Sequence, residues 1–326
     1  EYAPFVLNVA GSGFPVEVGL PSPGFYQTPK LAPYKLKNIR VRHLREGQTL
    51  LVTGGGRGVT AAALKEVARA FKPHLVIMGR TPLSGDEPRW LENLADEAAV
   101  RKALFDRAQV KPNPRDLAKE SARIMAGREI KANLAAMEKA GAKVTYISGD
   151  FQNAEALVPA VTEVKRLYGP IHGFIHGAGV LADSLILDKK DEDFDRVFDT
   201  KAGMAGLILS ELDDQPLNLV IFFSSSTARF CRKGQADYAA GNEVINKLAR
   251  SRAGGRLGPK CLAVNWGPWA GGMVDAGLAR LFEEEGIGLI PLPEGARLLA
   301  ALACAPKNDP VEVVVLGPTT DMSALL

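Results

Sequence analysis

Residues 52–60 read Val-Thr-Gly-Gly-Gly-Arg-Gly-Val-Thr and decide the fold of this chain. They follow the apolar run Thr49–Thr53, which is typical of a buried strand, and lead into a helical pattern over Thr60–Ala70. Glycines between a strand and a helix let backbone amides approach a pyrophosphate, which the positive end of the helix dipole also attracts. The segment therefore predicts a dinucleotide-binding turn.

Outside this turn, short apolar runs alternate with helical patterns, as in a parallel sheet that helices cover on both faces. The further predicted strands are His74–Met78, Lys143–Ile147, His172–His176, Leu217–Phe223, Lys260–Asn265 and Val311–Leu316. The predicted fold class is α/β, a doubly wound parallel sheet of the Rossmann type.

A long segment interrupts the alternation. About 60 residues separate Arg80 from Gly141, although one crossover helix would suffice there. We interpret residues 81–141 as a helical insertion outside the sheet, with one helix opening at Glu87–Leu91 and a break at Pro112–Pro114. Its simplest role is scaffolding, and its alternative role is contact with a partner domain or carrier protein.

Residues 1–45 hold many prolines and several glycines, so they predict an irregular arm with one or two edge strands. The arm is a linker or the remnant of a neighbouring domain, and residues 46–326 form the cofactor-binding domain. The chain begins at Glu1 without a methionine, which favours a domain cut from a longer polypeptide.

Composition excludes several classes of function. The 326 residues are 46% hydrophobic and 24% charged, as in an ordinary soluble globular protein, and the net charge of +3 is too small to favour nucleic acid. Three widely separated cysteines indicate reduced thiols, and four unpaired histidines give no reason to expect a metal. No apolar run suits a membrane span and no signal peptide is visible, so the expected location is the cytoplasm.

Two arginines favour NADPH as the cofactor. The second strand ends at Arg80, where an acidic residue would suit the ribose 2′-hydroxyl of NAD but an arginine suits the 2′-phosphate of NADP. Arg57 adds a second cation, while Thr60 stands where the last glycine of the fingerprint is usual. The other expected contacts lie in the glycine turn or after the next strands: Thr53, Gly54, Gly55, Gly56, Gly58, Val59, Gly79, Asp150 (against the adenine), Phe151, Gly177, Ala178 and Gly179.

Four later residues, Lys201, Ser225, Tyr238 and Asn242, are spaced 24, 13 and 4 residues apart. Tyr238 and Asn242 share a helix face, while Ser225 follows a buried strand, so a hydroxyl and a phenol can hold one carbonyl oxygen. A nearby Lys201 would lower the pKa of the phenol and make Tyr238 a proton donor. Each residue alone has an ordinary structural role as its alternative.

These motifs together resemble the short-chain dehydrogenase/reductase family over about residues 48–318. The segments His176–Leu181, Phe223–Ser225, Gln235–Asn242 and Trp266–Met273 are similar to those of ketoreductase domains in type I polyketide and fatty-acid synthases. The glycine turn and the Glu87–Leu91 motif further resemble the ketoreductases of polyunsaturated fatty acid synthases.

The resemblance implies roles for individual residues. Tyr238 would be the proton donor, Ser225 would hold the carbonyl oxygen, Lys201 would bind the nicotinamide ribose, and Asn242 would support the geometry and a proton-relay water. Pro268 and Trp269 would contact the cofactor. The substrate would be a 3-oxoacyl chain on an acyl carrier protein within a larger synthase, and the excised domain would be a monomer or a homodimer.

The resemblance also implies a substrate side. Asp183 matches the second aspartate of a loop associated with D-hydroxy products, although Ala182 replaces the first. Phe230, Gly271 and Met273 would contact substrate, and residues 271–285 resemble a mobile lid with glycine hinges. Two alternatives stay open: a free-standing reductase of a small ketone, and a non-catalytic structural reductase fold.

Overall fold

The computed structural model describes residues 19–22, 25–27, 30–37, 39–83, 85, 87–108, 112–254 and 258–321. The chain divides into two compact units, residues 1–37 and residues 38–326. In the first unit, β1 (Gly19–Ser22) and β2 (Phe25–Gln27) form an antiparallel pair, which agrees with the edge strands predicted for an irregular arm.

The larger unit starts ahead of residue 46, the start predicted from composition. Leu44 is fully buried, and the backbone N–H of Val41 donates to the carbonyl of Cys304 at 2.7 Å. His43 bonds the carbonyl of Ala305 through Nε2 at 2.8 Å. These contacts fasten residues 41–44 to the far end of the same unit.

The larger unit contains a seven-stranded sheet in which every neighbouring pair is parallel. Its strands are β3 (Thr49–Thr53), β4 (His74–Gly79), β5 (Lys143–Ser148), β6 (Ile171–His176), β7 (Leu219–Ser225), β8 (Lys260–Trp266) and β9 (Glu312–Val315). The order across the sheet is β5-β4-β3-β6-β7-β8-β9. The predicted doubly wound α/β fold is therefore confirmed.

Helices cover both faces of this sheet. They are α1 (Gly58–Phe71), α2 (Glu97–Arg107), α3 (Pro114–Lys139), α4 (Ala154–Tyr168), α5 (Asp191–Phe198), α6 (Met204–Glu211), α7 (Thr227–Phe230), α8 (Ala236–Arg252), α9 (Ala276–Glu284) and α10 (Leu292–Ala303). Helix α1 packs against α10, while α4 packs against α6 and α8 packs against β7. A single apolar cluster joins the sheet to α4, α6 and α8.

The strand order reverses between β3 and β6, because the chain leaves β3 toward β4 and β5 and then returns to the other side of β3. At such a reversal the connections after the two strands run in opposite directions and leave a crevice at their carboxyl ends. The glycine turn after β3 and the segment after β6 both lie there. Ligands of doubly wound sheets bind in this crevice.

The region of the predicted helical insertion forms helices α2 and α3, and its first helix begins later than expected. The segment Glu87–Leu91 forms turns, and α2 begins only after Asp96, whose carboxylate accepts from the Ala99 N–H at 2.7 Å. The Asp96 side chain thereby caps one of the free N–H groups in the first turn of α2. Helix α3 starts at Pro114 with Asn113 as its N-cap.

Candidate active site

A cavity of about 690 Å³ opens at the carboxyl ends of β3, β4, β6, β7 and β8. Most of the residues predicted from the sequence line it. On the cofactor side these are Thr53, Gly54, Gly56, Arg57, Gly58, Val59, Gly79, Arg80, Phe151, Gly177, Ala178, Gly179, Pro268 and Trp269. On the reaction side they are Lys201, Ser225, Tyr238, Phe230, Gly271 and Met273.

Four of the predicted residues do not line the cavity. Gly55 is buried under the turn, where an added Cβ would lie 2.5 Å from Leu64 Cδ1. Asp150 is exposed and accepts from the Gln152 N–H at 3.4 Å, and its contact with the adenine stays a prediction. Asp183 is exposed and Asn242 is fully buried, and each is hydrogen-bonded to a residue of the wall, as described below.

The glycine turn passes close to the segment that follows β6. Gly54 has φ of +75°, and a Cβ there would lie 2.6 Å from the backbone nitrogen of Ala178. The Gly54 N–H donates to Met78 O at 3.0 Å, and the Gly177 N–H donates to Thr53 O at 2.9 Å. Only a residue without a side chain allows this approach.

Gly177 also explains how the turn tolerates Thr60 in place of the usual glycine. A Cβ at Gly177 would lie 2.5 Å from Thr60 Cγ2 and 2.6 Å from Thr60 Oγ1. The space that the dinucleotide fingerprint normally provides on the helix is thus provided on the facing segment. Gly177 therefore leaves the space that the Thr60 side chain needs.

We expect Gly177→Ala to destabilise the fold by about 1–3 kcal/mol, the usual cost of an overpacked contact. Thr60→Ala in the same chain should recover most of that loss, because it removes the two nearest of the three Thr60 atoms that the new Cβ would meet. Urea unfolding of the two single variants and the double variant measures the coupling. If the changes in the free energy of unfolding of the two single variants simply add up in the double variant, the proposed contact between Gly177 and Thr60 is contradicted.

Lys201 lies on a π-helical turn, Asp199–Gly203, between α5 and α6. It is 3% exposed, and its Nζ donates to Phe223 O at the end of β7 at 2.7 Å. Gly179 makes room for it, since a Cβ there would lie 2.8 Å from Lys201 Cε. Burial lowers the pKa of Lys201 to about 7, because the dry surroundings disfavour its charged form.

Tyr238 stands on α8 facing the cavity, with Lys201 Nζ 6.0 Å from its ring centroid. Burial raises the pKa of the phenol, and hydrogen bonding to Asn242 and Ser225 offsets part of that rise. Asn242 is fully buried one turn later, and its Nδ2 donates to Tyr238 O at 2.7 Å. Its Oδ1 makes no hydrogen bond with the part of the chain that the structure describes.

The expectation that Lys201 lowers the pKa of Tyr238 is not met in this structure. Desolvation of the phenol dominates, and Lys201 is not among the groups that shift its pKa. The physical reason is that the same burial weakens the lysine's own charge.

A hydrogen-bonded chain connects the loop after β6 to Ser225. Gln235 Nε2 donates to Asp183 Oδ2 at 2.8 Å, and Gln235 Oε1 accepts from Thr227 Oγ1 at 3.2 Å. The Thr227 N–H in turn donates to Ser225 Oγ at 3.2 Å, while that hydroxyl donates to Thr227 Oγ1 at 3.1 Å. Asp183 therefore reaches the serine through two intermediaries.

A buried ion pair joins Lys189 to Asp237, the residue that precedes Tyr238. Lys189 Nζ bonds Asp237 Oδ2 and Ala182 O, each at 2.7 Å, and the lysine and aspartate side chains are 6% and 1% exposed. The other carboxylate oxygen of Asp237 accepts from the Tyr238 N–H at 2.9 Å. Sequence reasoning missed Lys189 and Thr227, and no motif singles them out. Gln235, by contrast, opens the Gln235–Asn242 motif.

The residues of the predicted lid form a turn at Gly271 and Gly272, followed by helix α9. Gly272 has φ of +70°, and a Cβ there would lie 3.0 Å from Val59 Cγ1 at the start of α1. Arg232 holds the helix end, because its guanidinium lies 4.6 Å from the Phe282 ring centroid and pairs with Glu285 at 2.8 Å. Through these contacts, residues 271–285 connect Val59 at the start of α1 with Arg232 on another part of the cavity wall.

Within the described ranges, no helix combines the length and the apolar character that a bilayer span requires.

The sheet order, the crevice at its reversal and the residues of the cavity define a short-chain dehydrogenase/reductase. A family model described as the KR domain matches residues 48–271. The chain belongs to this family, the ketoreductase domains.

Comparison with known proteins agrees with this assignment. One subunit of the polyunsaturated fatty acid synthase of Thraustochytrium sp. is 32% identical over 284 residues, 84% of this chain and 10% of that protein. A crystal structure of a ketoreductase domain from the bacillaene assembly line has a TM-score of 0.66 at 25% identity, covering 90% of this chain and 62% of that one. A short-chain dehydrogenase/reductase from Serratia marcescens shares the fold, with a TM-score of 0.62 at 19% identity over 85% of this chain and 99% of that one. The chain spans about a tenth of its curated synthase relative.

Proposed function

We propose that this chain catalyses the NADPH-dependent reduction of a 3-oxoacyl thioester, held on an acyl carrier protein, to the 3-hydroxyacyl thioester. The observation that carries the proposal is the meeting of Lys201, Ser225 and Tyr238 on the wall of one cavity beside the glycine turn. In that arrangement a ketone oxygen between Ser225 and Tyr238 lies next to a cofactor on the turn.

The residues present fit a nicotinamide dinucleotide. The turn brings backbone amides to the cavity at the amino terminus of α1, where the helix dipole favours phosphate. Arg57 and Arg80 are both exposed on the cavity wall and would hold a 2′-phosphate, which is the basis for NADPH over NADH. Bound NADPH supplies the hydride that reduces the carbonyl carbon.

The protein's own part in the reaction is to hold the ketone and provide the proton. Ser225 Oγ donates a hydrogen bond to the ketone oxygen, and Tyr238 gives that oxygen its phenolic proton as the alcohol forms. The resulting phenolate regains its proton from solvent through a water near Asn242. Lys201 holds the nicotinamide ribose.

The relatives suggest the substrate and the partners. One relative belongs to a polyunsaturated fatty acid synthase, and another structure is a domain of the bacillaene assembly line. We infer that residues 38–326 act as the ketoreductase domain of an iterative synthase, beside a carrier protein and other domains, with residues 1–37 as a linker. The chain alone would be a monomer or a homodimer, and Asp183 favours the D-hydroxy product.

The test follows NADPH absorbance with the wild-type protein and three ketones. These are a small cyclic ketone, a 3-oxoacyl thioester of a short pantetheine analogue, and the same acyl group on an acyl carrier protein. We expect oxidation with all three and the highest kcat/KM for the carrier-bound form, because contacts remote from the ketone add binding energy. NADPH should be preferred to NADH.

Three results would count against the proposal. If NADPH is oxidised with none of the three ketones, the interpretation as a non-catalytic structural reductase fold is favoured. Turnover of the cyclic ketone but neither thioester would favour a free-standing reductase of small ketones. Faster turnover with NADH than with NADPH would remove the role given to Arg80.

A further inference from the structure

Helix α3 of the insertion contacts the glycine turn directly. Glu129 places one carboxylate oxygen 2.8 Å from Arg57 Nε and the other 3.0 Å from the Gly58 nitrogen, both of which donate to it. One turn later on the same face, Asn133 Nδ2 donates to Gly56 O at 3.0 Å. The insertion therefore forms part of the cofactor crevice instead of standing apart from it.

The carboxylate of Glu129 occupies the kind of position that suits a phosphate. Its two partners are the first amide of α1 and a guanidinium in the turn, and both are donors of the type that bind anions. Burial pushes the pKa of Glu129 upward, but the bonds from Gly58 and Arg57 outweigh that effect and hold the pKa below its usual value. The side chain is thus an anion at neutral pH and lines the cavity.

A negative charge here acts differently on the two nicotinamide cofactors. A 2′-phosphate beside Arg57 and Arg80 carries about two negative charges, which a neighbouring carboxylate repels. An unphosphorylated ribose offers hydroxyl groups, which can donate to the same carboxylate. Arg57 is also partly neutralised, since its Nε is already paired with Glu129.

We propose that Glu129 is a specificity-determining residue that weakens the discrimination between NADPH and NADH which Arg57 and Arg80 would otherwise impose. The inference rests on the proposed function, because it presumes that a nicotinamide dinucleotide binds along the glycine turn. The proposal gives the helical insertion (residues 81–141) a role in cofactor choice, in addition to scaffolding or contact with a partner.

The competing interpretation is that Glu129 only positions Arg57 and caps α1. The two roles predict opposite signs for the isosteric change Glu129→Gln. Glutamine retains an oxygen that accepts from the Gly58 N–H, so the cap persists while the charge is lost. If the charge opposes the 2′-phosphate, its removal tightens NADP⁺; if the charge holds Arg57 in place for the phosphate, its removal weakens NADP⁺.

The experiment is calorimetric titration of the wild type, Glu129→Gln and Glu129→Ala with NADP⁺, NAD⁺ and adenosine 2′,5′-bisphosphate. For Glu129→Gln we expect Kd for NADP⁺ and for the bisphosphate to fall about three- to tenfold, with Kd for NAD⁺ unchanged within about twofold or weaker. The gain should shrink as salt is added, since the side chain is 44% exposed.

Glu138→Gln is the matched control, because it removes the same charge from an exposed position further along α3. It should leave all three Kd values unchanged. Weaker or unchanged NADP⁺ binding in Glu129→Gln, while the wild type binds and oxidises NADPH, overturns the inference and leaves the proposed function standing. Absence of dinucleotide binding by the wild type overturns both.

Discussion

Replacing Tyr238 by phenylalanine is expected to lower kcat for ketone reduction by about a thousandfold, within the range typical of lost general acid catalysis. The ring remains in place on α8, so its packing and the nearby Lys201 Nζ should be undisturbed. Only the phenolic proton is missing from the cavity wall. Steady-state NADPH oxidation with the carrier-bound ketone measures the loss.

The binding of NADPH to the Tyr238→Phe variant should remain within about threefold of the wild type, since the glycine turn carries most of the cofactor contacts. Tyr168→Phe is a suitable control, because it removes a phenol at the end of α4, where the ring packs edge-on against His74. That variant should keep full activity. Retention of more than a tenth of wild-type kcat in Tyr238→Phe would mean that the proton comes from another source.

The second large effect concerns stability. We expect Lys201→Met to be more stable than the wild type at pH 6, by about 4 kcal/mol, although it should lose most of its activity. The buried ammonium has a pKa of about 7, well below the ordinary value of 10.5. The fall from 10.5 to about 7, at about 1.4 kcal/mol for each pH unit, is a penalty of about 5 kcal/mol, and the bond to Phe223 O that the variant loses offsets about 1 kcal/mol of the gain.

The sign of the pH dependence follows from the direction of the shift. Between pH 7 and 10.5 the unfolded chain holds the lysine proton more tightly than the folded chain, so the folded wild type gains stability as pH rises. The penalty is present in full below about pH 7 and disappears near pH 10.5. The advantage of Lys201→Met should therefore be largest at pH 6 and shrink by pH 9.5.

Urea unfolding of wild type and variant at these two pH values tests the prediction, with the midpoint and slope fitted separately. Lys139→Met, at an exposed position on α3, controls for the loss of an amine and should change stability little. An advantage that grows with pH, or a variant that is less stable at pH 6, would contradict the account. If the prediction holds, Lys201 lowers the stability of the folded protein and is retained for its role in the reaction.

Much of the fold followed from local patterns. The seven sheet strands were predicted within about two residues, because short apolar runs between helical patterns are typical of strands in a helix-covered parallel sheet. Strand β7 extends to Ser225, past the predicted end at Phe223, because Ser224 and Ser225 pair with Asn265 and Trp266. Its end depends on a strand that lies far along the chain, which no local pattern reveals.

The sequence alone predicts the proposed chemistry, from a glycine turn between a strand and a helix, Arg80 after the second strand, and the spacing of Lys201, Ser225 and Tyr238. These are features of short segments, in which backbone geometry and periodicity act between near neighbours. Only the tertiary structure decided that Gly177 accommodates Thr60, that burial sets the pKa of Lys201, and that Glu129 reaches Arg57 across 72 residues of chain. Each of these depends on distance and desolvation between segments remote in sequence, and such contacts exist only once the chain has packed.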